Sequence, residues 1–202
     1  MKLASFETQG RATYGTVDAA GLYHPVSDAF QQRCADLKAV IAAGGDFTLQ
    51  SAGGPVSLKD FRGKLVMMFF GYTQCPDVCP TSMVEMARIR SLMGKDGERV
   101  QCLFVTLDPG RDTPEMLKAY MENFDPSFLA LVPKLEDLPA LTKEFKVYYK
   151  QVAGPTPTSY TLDHTAGSYV YDTQGKLRLF TRYGTAPELT VADLQVLLKP
   201  AG

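Results

Sequence analysis

The sequence predicts an α/β domain, a central mixed sheet flanked by helices, and three observations carry that prediction. Residues 65–70 and 100–107 are continuous apolar runs of the kind shown by strands covered on both faces. After each run, apolar residues recur at helical spacing: Met83, Met86, Ala87, Ile89 and Met93 after the first, Met116, Leu117, Tyr120, Met121 and Phe124 after the second. From Gly44 onward, glycine and proline punctuate the chain at the ends of these runs.

Composition bounds the rest. With 202 residues, 45% of them hydrophobic, the chain has enough apolar surface for one domain of ordinary size. A formal net charge of -1 with no run of like charges argues against nucleic acid as a partner. No stretch approaches the roughly 20 apolar residues that cross a bilayer, and the N-terminus lacks the apolar core of a secretion signal. The expectation is a cytosolic chain, or one trimmed of its targeting segment.

Residues 1–45 read as an N-terminal arm, partly disordered, with one short helix. Polar and small residues dominate up to Ser27, and Phe30, Cys34, Leu37, Val40 and Ile41 then recur at helical spacing. His24, beside Pro25, reads as a surface residue. A single domain is expected over 46–200. Its first elements are a strand at 47–49, a turn at 53–55 and a return at 56–58, which make a hairpin. After a polar corner at 60–64, the buried strand 65–70 stops at Gly71.

Pro80 suits the first turn of a helix that Gly94 and Gly97 end. Strand 100–107 leads into the loop 108–114, with Asp112 or Thr113 as the cap of the next helix. A strand at 128–132 and a helix at 136–145 follow. A strand-like run at 147–152, a Gly/Pro/Thr/Ser loop at 153–161 and Asp163-His164 come next. Strands 166–171 and 177–182 flank a hairpin turn at 172–175, and a helix at 191–198 closes the chain. This order is that of a thioredoxin-like α/β domain with an added N-terminal hairpin and one inserted helix-strand unit.

The loop after the first buried strand carries the chemistry. Three residues separate Cys75 from Cys79, which brings both sulfurs to one side of a turn, able to form a disulfide or to hold one soft metal ion. Pro76 and Pro80 limit how far the loop relaxes. Cys79 is expected at or beside the helix N-cap, where the helix dipole stabilises its thiolate. A disulfide across so short a loop constrains the unfolded chain little, so a working dithiol is preferred to an inert staple.

A metal needs a third ligand, and His164, at the junction of a loop and a strand, is the candidate. Two sulfurs and one nitrogen suit three-coordinate Cu(I), whereas Zn(II) usually takes a fourth ligand. Met67, Met68, Met83 and Met86 read as core residues, and Asp77, Asp108 and Asp163 as groups that either orient ligands or form turns. Cys102 reads as a small buried hydrophobe, and Cys34 as part of the helical-looking arm.

The segment Gly71-Tyr72-Thr73-Gln74-Cys75-Pro76-Asp77-Val78-Cys79-Pro80, then Asp108-Pro109, Arg111-Asp112-Thr113-Pro114 and Asp163-His164, resembles the Sco/SenC family of copper-binding assembly factors. The resemblance covers about residues 45–198. It implies a thioredoxin-like fold and a copper ion, Cu(I) and/or Cu(II), held by Cys75, Cys79 and His164. The implied role is delivery of copper to, or thiol reduction of, the binuclear copper centre of cytochrome c oxidase subunit II. Other copper chaperones and thiol reductants are implied as further partners.

Family members are usually tethered to a membrane and face the periplasm or the mitochondrial intermembrane space. The arm, Cys34 and Cys102 match no part of the family pattern. Against the chaperone reading stands a thiol-disulfide oxidoreductase that reduces the cysteines of subunit II or of another exported protein, with Cys75 and Cys79 as its redox pair. Peroxide reduction ranks last, because the threonine and arginine expected around a peroxidatic cysteine are not evident beside Cys75 or Cys79.

Overall fold

The computed structural model describes residues 2–8, 11–17, 23–25, 47–156 and 159–199, in two units, Met1–Ala43 and Gly44–Gly202. In the first unit, β1 (Lys2–Thr8), β2 (Arg11–Val17) and β3 (Tyr23–Pro25) form an antiparallel sheet in the order β1-β2-β3. The sequence reading of residues 1–45 as an arm with one short helix named no strand in this stretch. Thr13, Tyr14, Thr16 and Val17 are good strand formers, and Thr8 pairs with Arg11 across a two-residue connection, the favoured hairpin length. His24 lies in β3, opposite Thr16. The helix expected around Phe30 to Ile41, and Cys34 with it, lie outside the described residues.

The second unit opens with the hairpin β4 (Leu49–Ser51) and β5 (Gly54–Val56), two residues later than expected for its first strand. Gly54, at φ 115°, supplies the left-handed turn. A 3-10 turn, Leu58–Phe61, then leads to β6 (Leu65–Gly71), in which every residue is buried. Helix α1 (Val78–Leu92) and β7 (Val100–Thr106, again wholly buried) follow. Next come α2 (Pro114–Glu122), β8 (Leu129–Leu131) and α3 (Leu138–Glu144).

The main sheet runs β12-β11-β6-β7-β8. Strands β6, β7 and β8 are parallel; β11 (Gly167–Tyr171) pairs antiparallel with β6, and β12 (Leu177–Arg182) with β11. Helix α4 (Pro187–Leu198) starts earlier than the apolar rhythm alone indicates, because Pro187 fits a first helical turn, and it packs on α1. Central β6 and β7 are unbroken apolar runs because side chains on both their faces are covered. Met67, Met68, Met83, Met86 and Cys102 all lie in this core. This is the thioredoxin-like arrangement, a mixed sheet flanked by helices.

One element differs from expectation in a way that matters. The region expected as a loop at 153–161 instead gives Ala153 to β9 (Tyr149–Ala153) and Tyr160 and Thr161 to β10 (Tyr160–His164), two strands paired as a ribbon. Its Gly/Pro/Thr/Ser composition hid the strand. The five residues of β10 do alternate in burial, with Leu162 innermost, but the strand is short and follows directly on turn-forming residues. No helix among the described residues is long and apolar enough to cross a membrane.

Candidate metal centre

The cysteine wall grows out of the end of β6. Gly71 O accepts a hydrogen bond of 2.7 Å from Leu107 N, and Cys75 N donates to Tyr72 O at 3.3 Å, which turns the chain sharply. Gly71 is required by packing: a Cβ there would lie 2.7 Å from Cys79 Sγ, 2.9 Å from the Phe69 ring and 3.0 Å from the Phe104 ring. Asp112, almost wholly buried, accepts hydrogen bonds from Thr73 N (3.2 Å), Thr73 Oγ1 (2.5 Å) and Thr106 Oγ1 (2.5 Å), tying the loop to the end of β7. The helix cap that Asp112 was one candidate for is Thr113, whose side chain accepts from Met116 N.

The thiols take roles opposite to those expected from the place of Cys79 at the helix start. Asp77 is the N-cap residue of α1 and Cys79 the second residue inside it, so the Cys79 N–H points outward, at Cys75 Sγ, 3.4 Å away. Cys79 is completely buried and Cys75 half-buried; both are free thiols. A hydrogen bond from the Cys79 thiol, outweighing burial and helped by the N–H groups of Cys79 and Asp77, lowers the Cys75 pKa to about 4. The same hydrogen bond and then burial push Cys79 upward, so it holds its proton while Cys75 is the thiolate.

The histidine wall is β10. Alternation along a strand puts Tyr160, Leu162 and His164 on one face, and Asp163 on the other, where it is exposed. Leu162 N donates to Tyr72 Oη at 3.2 Å. The imidazole meets the rings of Phe69 and Tyr72 edge-on, with centroids 6.0 and 5.9 Å away. His164 Nδ1 lies 3.1 Å from Thr165 O, and a carbonyl only accepts, so Nδ1 carries the proton. That leaves the Nε2 lone pair aimed inward, 3.4 Å from Cys79 Sγ.

The structure therefore brings together the three residues that the sequence singled out. Their ligand atoms all lie within 4.8 Å of one another, and among the described residues no other group of three metal-ligating side chains converges. Two sulfurs and one imidazole nitrogen fit a soft, three-coordinate ion such as Cu(I). A bound cation would also strip the proton from Cys79, since a coordinating thiol is deprotonated.

The carboxylates proposed from sequence divide in their roles. Asp77 stands at the N-cap position of α1 without a side-chain cap bond, Asp163 faces solvent, and Asp108 is bonded to Arg111 and to the Tyr160 hydroxyl. Gly71, Tyr72, Asp112 and Tyr160 support the site without having been assigned to it. The motif grouping of Gly71-Tyr72 and Arg111-Asp112 around the cysteine segment pointed to the first three, and no motif pointed to Tyr160.

The sequence model of the family described as SCO1/SenC matches residues 36–199. A SCO2-like protein of Rickettsia felis is 38% identical over 138 residues, which cover 67% of this chain and 67% of that protein. The mitochondrial SCO2 homologue of Bos taurus is 35% identical over 156 residues, 76% of this chain and 58% of that one. Among solved structures, copper-bound ScoI of Bradyrhizobium japonicum superposes with a TM-score of 0.70 at 38% identity, over 77% of this chain and 99% of that one. The family match takes in the cysteine loop, Asp112 and the histidine strand in a single span, and the chain belongs to the SCO1/SenC family.

Proposed function

We propose that this chain is a copper-binding assembly factor that holds one copper ion, as cargo, on Cys75 Sγ, Cys79 Sγ and His164 Nε2. It delivers that ion to the binuclear copper centre of cytochrome c oxidase subunit II. The observation that carries the reading is the convergence of those three atoms within 4.8 Å, with the imidazole tautomer already set for ligation. The half-buried Cys75 thiolate meets the incoming ion first, Cys79 gives up its proton on binding, and Nε2 completes the set. Two thiolates and a neutral imidazole leave the site with one negative charge around Cu(I) and none around Cu(II). The sulfurs must be reduced to bind, so a thiol reductant and a copper donor are the further partners.

The location proposed is the periplasmic face of a bacterial inner membrane or the intermembrane space, with a membrane anchor; a mitochondrial relative and a Bacillus anthracis relative described as a lipoprotein support it. A topology reporter fused to the full-length protein and active only on the cytosolic side would overturn that placement. The central experiment is anaerobic titration of the reduced protein with Cu(I) and Cu(II), followed by transfer from the loaded protein to the metal-free copper domain of subunit II. One copper per chain is expected. His164→Ala should lose more affinity than the roughly ten- to hundredfold typical of an outer partner. Equal binding by His164→Ala would remove the third ligand, and absence of transfer would remove the acceptor.

A second reading rests on the half-buried Cys75, whose thiol the adjacent buried Cys79 holds below the ordinary thiol range. In it Cys75 attacks a partner disulfide, and Cys79 resolves the mixed disulfide, leaving a Cys75–Cys79 disulfide and a reduced partner. Metal-free reduction of an oxidised subunit II peptide that survives His164→Ala would favour it over the chaperone.

A further inference from the structure

His164 reaches the cysteines on a ribbon that forms no ladder with the main sheet. A two-stranded ribbon is at best marginally stable alone, so side chains must set its angle. Tyr72 holds the middle of β10 through the Leu162 amide, and the contacts at its Tyr160 end converge on one residue. Arg111 lies in the loop after β7. Its Nη1 donates to Gln74 Oε1, next to Cys75, at 2.9 Å, and to Tyr160 O, at the start of β10, at 3.2 Å. Its Nε donates to Asp108, and its guanidinium carbon stacks 3.6 Å from the centre of the Tyr160 ring. The Tyr160 hydroxyl in turn donates to Asp108 Oδ1 at 2.8 Å.

We propose that Arg111, with Tyr160, is a positioning residue for the metal centre: it latches the histidine strand to the cysteine loop and so sets the distance from His164 Nε2 to the two sulfurs. The inference rests on the ligand set proposed above. Tyr160 and His164 share one face of β10, about 13 Å apart at the usual strand rise, so the strand acts as a lever. A tilt at the Tyr160 end appears as a shift at Nε2, and site geometry is sensitive to displacements of about 1 Å. The latch is anchored firmly. Asp108 is buried, and Arg111 keeps its Nη2 buried without a hydrogen-bond partner among the described residues, so the guanidinium is placed for the fork and the stack rather than for solvation.

The test is a double-mutant cycle on Cu(I) affinity, measured by competition with a chromophoric chelator, using parent, Arg111→Ala, His164→Ala and the double variant. Arg111→Ala is expected to weaken binding about ten- to hundredfold and to add nothing in the His164→Ala background, because it acts through that ligand. Arg111→Lys, which keeps the charge but not the fork and stack, should not restore affinity. Tyr160→Phe, which keeps the ring and loses one hydroxyl, should weaken binding about fivefold; it takes the place of Arg111→Ala in the cycle if that variant fails to fold. Weaker binding by His164→Ala, together with an absent or additive effect of Arg111→Ala, would overturn the positioning role alone. Unchanged binding by His164→Ala would overturn the ligand set, and this inference with it.

Discussion

The two walls of the metal centre are built by different means. The cysteine wall is the junction of a fully buried strand and a core helix, clamped by Asp112 and packed so closely that Gly71 has no room for a Cβ. The histidine wall belongs to a ribbon outside the main sheet, with a largely exposed edge strand and Leu162 as the one fully buried residue of β10. Its anchors are side chains: Tyr72 on the Leu162 amide, the Tyr160 cluster, and the two rings that flank His164. By its buried contacts the ribbon belongs to the low-stability end of the molecule, and the cysteine loop to the high end. The sulfur pair is thus preassembled, and the nitrogen is a fitted part.

The contrast can be broken first at the thiols, where the largest effect is expected. In reduced, metal-free protein at about pH 6, alkylation should label Cys75 more than about a hundredfold faster than Cys79. The Cys75 folded pKa, about 4, lies below the ordinary thiol value of 9.0. Its thiolate therefore contributes stability that is complete above the unfolded value and is lost as pH falls through about 4. Labelling of Cys75 should stay flat with falling pH until that range is approached. Equal labelling of the two sulfurs by mass spectrometry would erase the asymmetry between them.

Packing gives the next largest effect. Gly71→Ala forces a methyl against Cys79 Sγ and two aromatic rings, and should cost about 1–3 kcal/mol of global stability in a denaturant titration. A cost near zero would show that the cysteine wall gives way as easily as the ribbon. The smallest effect is assigned to Tyr72→Phe, which removes the acceptor for Leu162 N and should cost about 1 kcal/mol. Hydrogen exchange should place that loss at the amides of 160–164, while exchange in β6 stays unchanged. Equal loosening of β6 would mean that the two walls open together.

Much of this was legible in the chain because its signals are local. The runs at 65–70 and 100–107 announce buried strands, 172–175 a hairpin turn, and Cys75-Pro76-Asp77-Val78-Cys79-Pro80 a preorganised dithiol. The strands at 2–25 escaped because polar β-formers such as Thr13 and Thr16 were read by polarity rather than by strand preference. Strand β10 escaped because its five alternating residues follow directly on a Gly/Pro/Thr/Ser stretch that reads as loop.

Residue chemistry and spacing were sufficient to place Cys75 and Cys79 in one turn between a strand and a helix, and to nominate His164 as the remaining soft-metal donor. Which thiol ionises, and how the imidazole approaches, were decided by packing. The ionisation of Cys75 depends on Cys79 N and Sγ, four residues on, as the first turn of α1 presents them. The approach of the imidazole depends on groups distant in the chain that meet only after the sheet is built: Asp112 on Thr73, Tyr72 on Leu162, and Tyr160 on Asp108. Hydrogen bonds and desolvation act over a few ångströms in space and take no account of distance along the sequence.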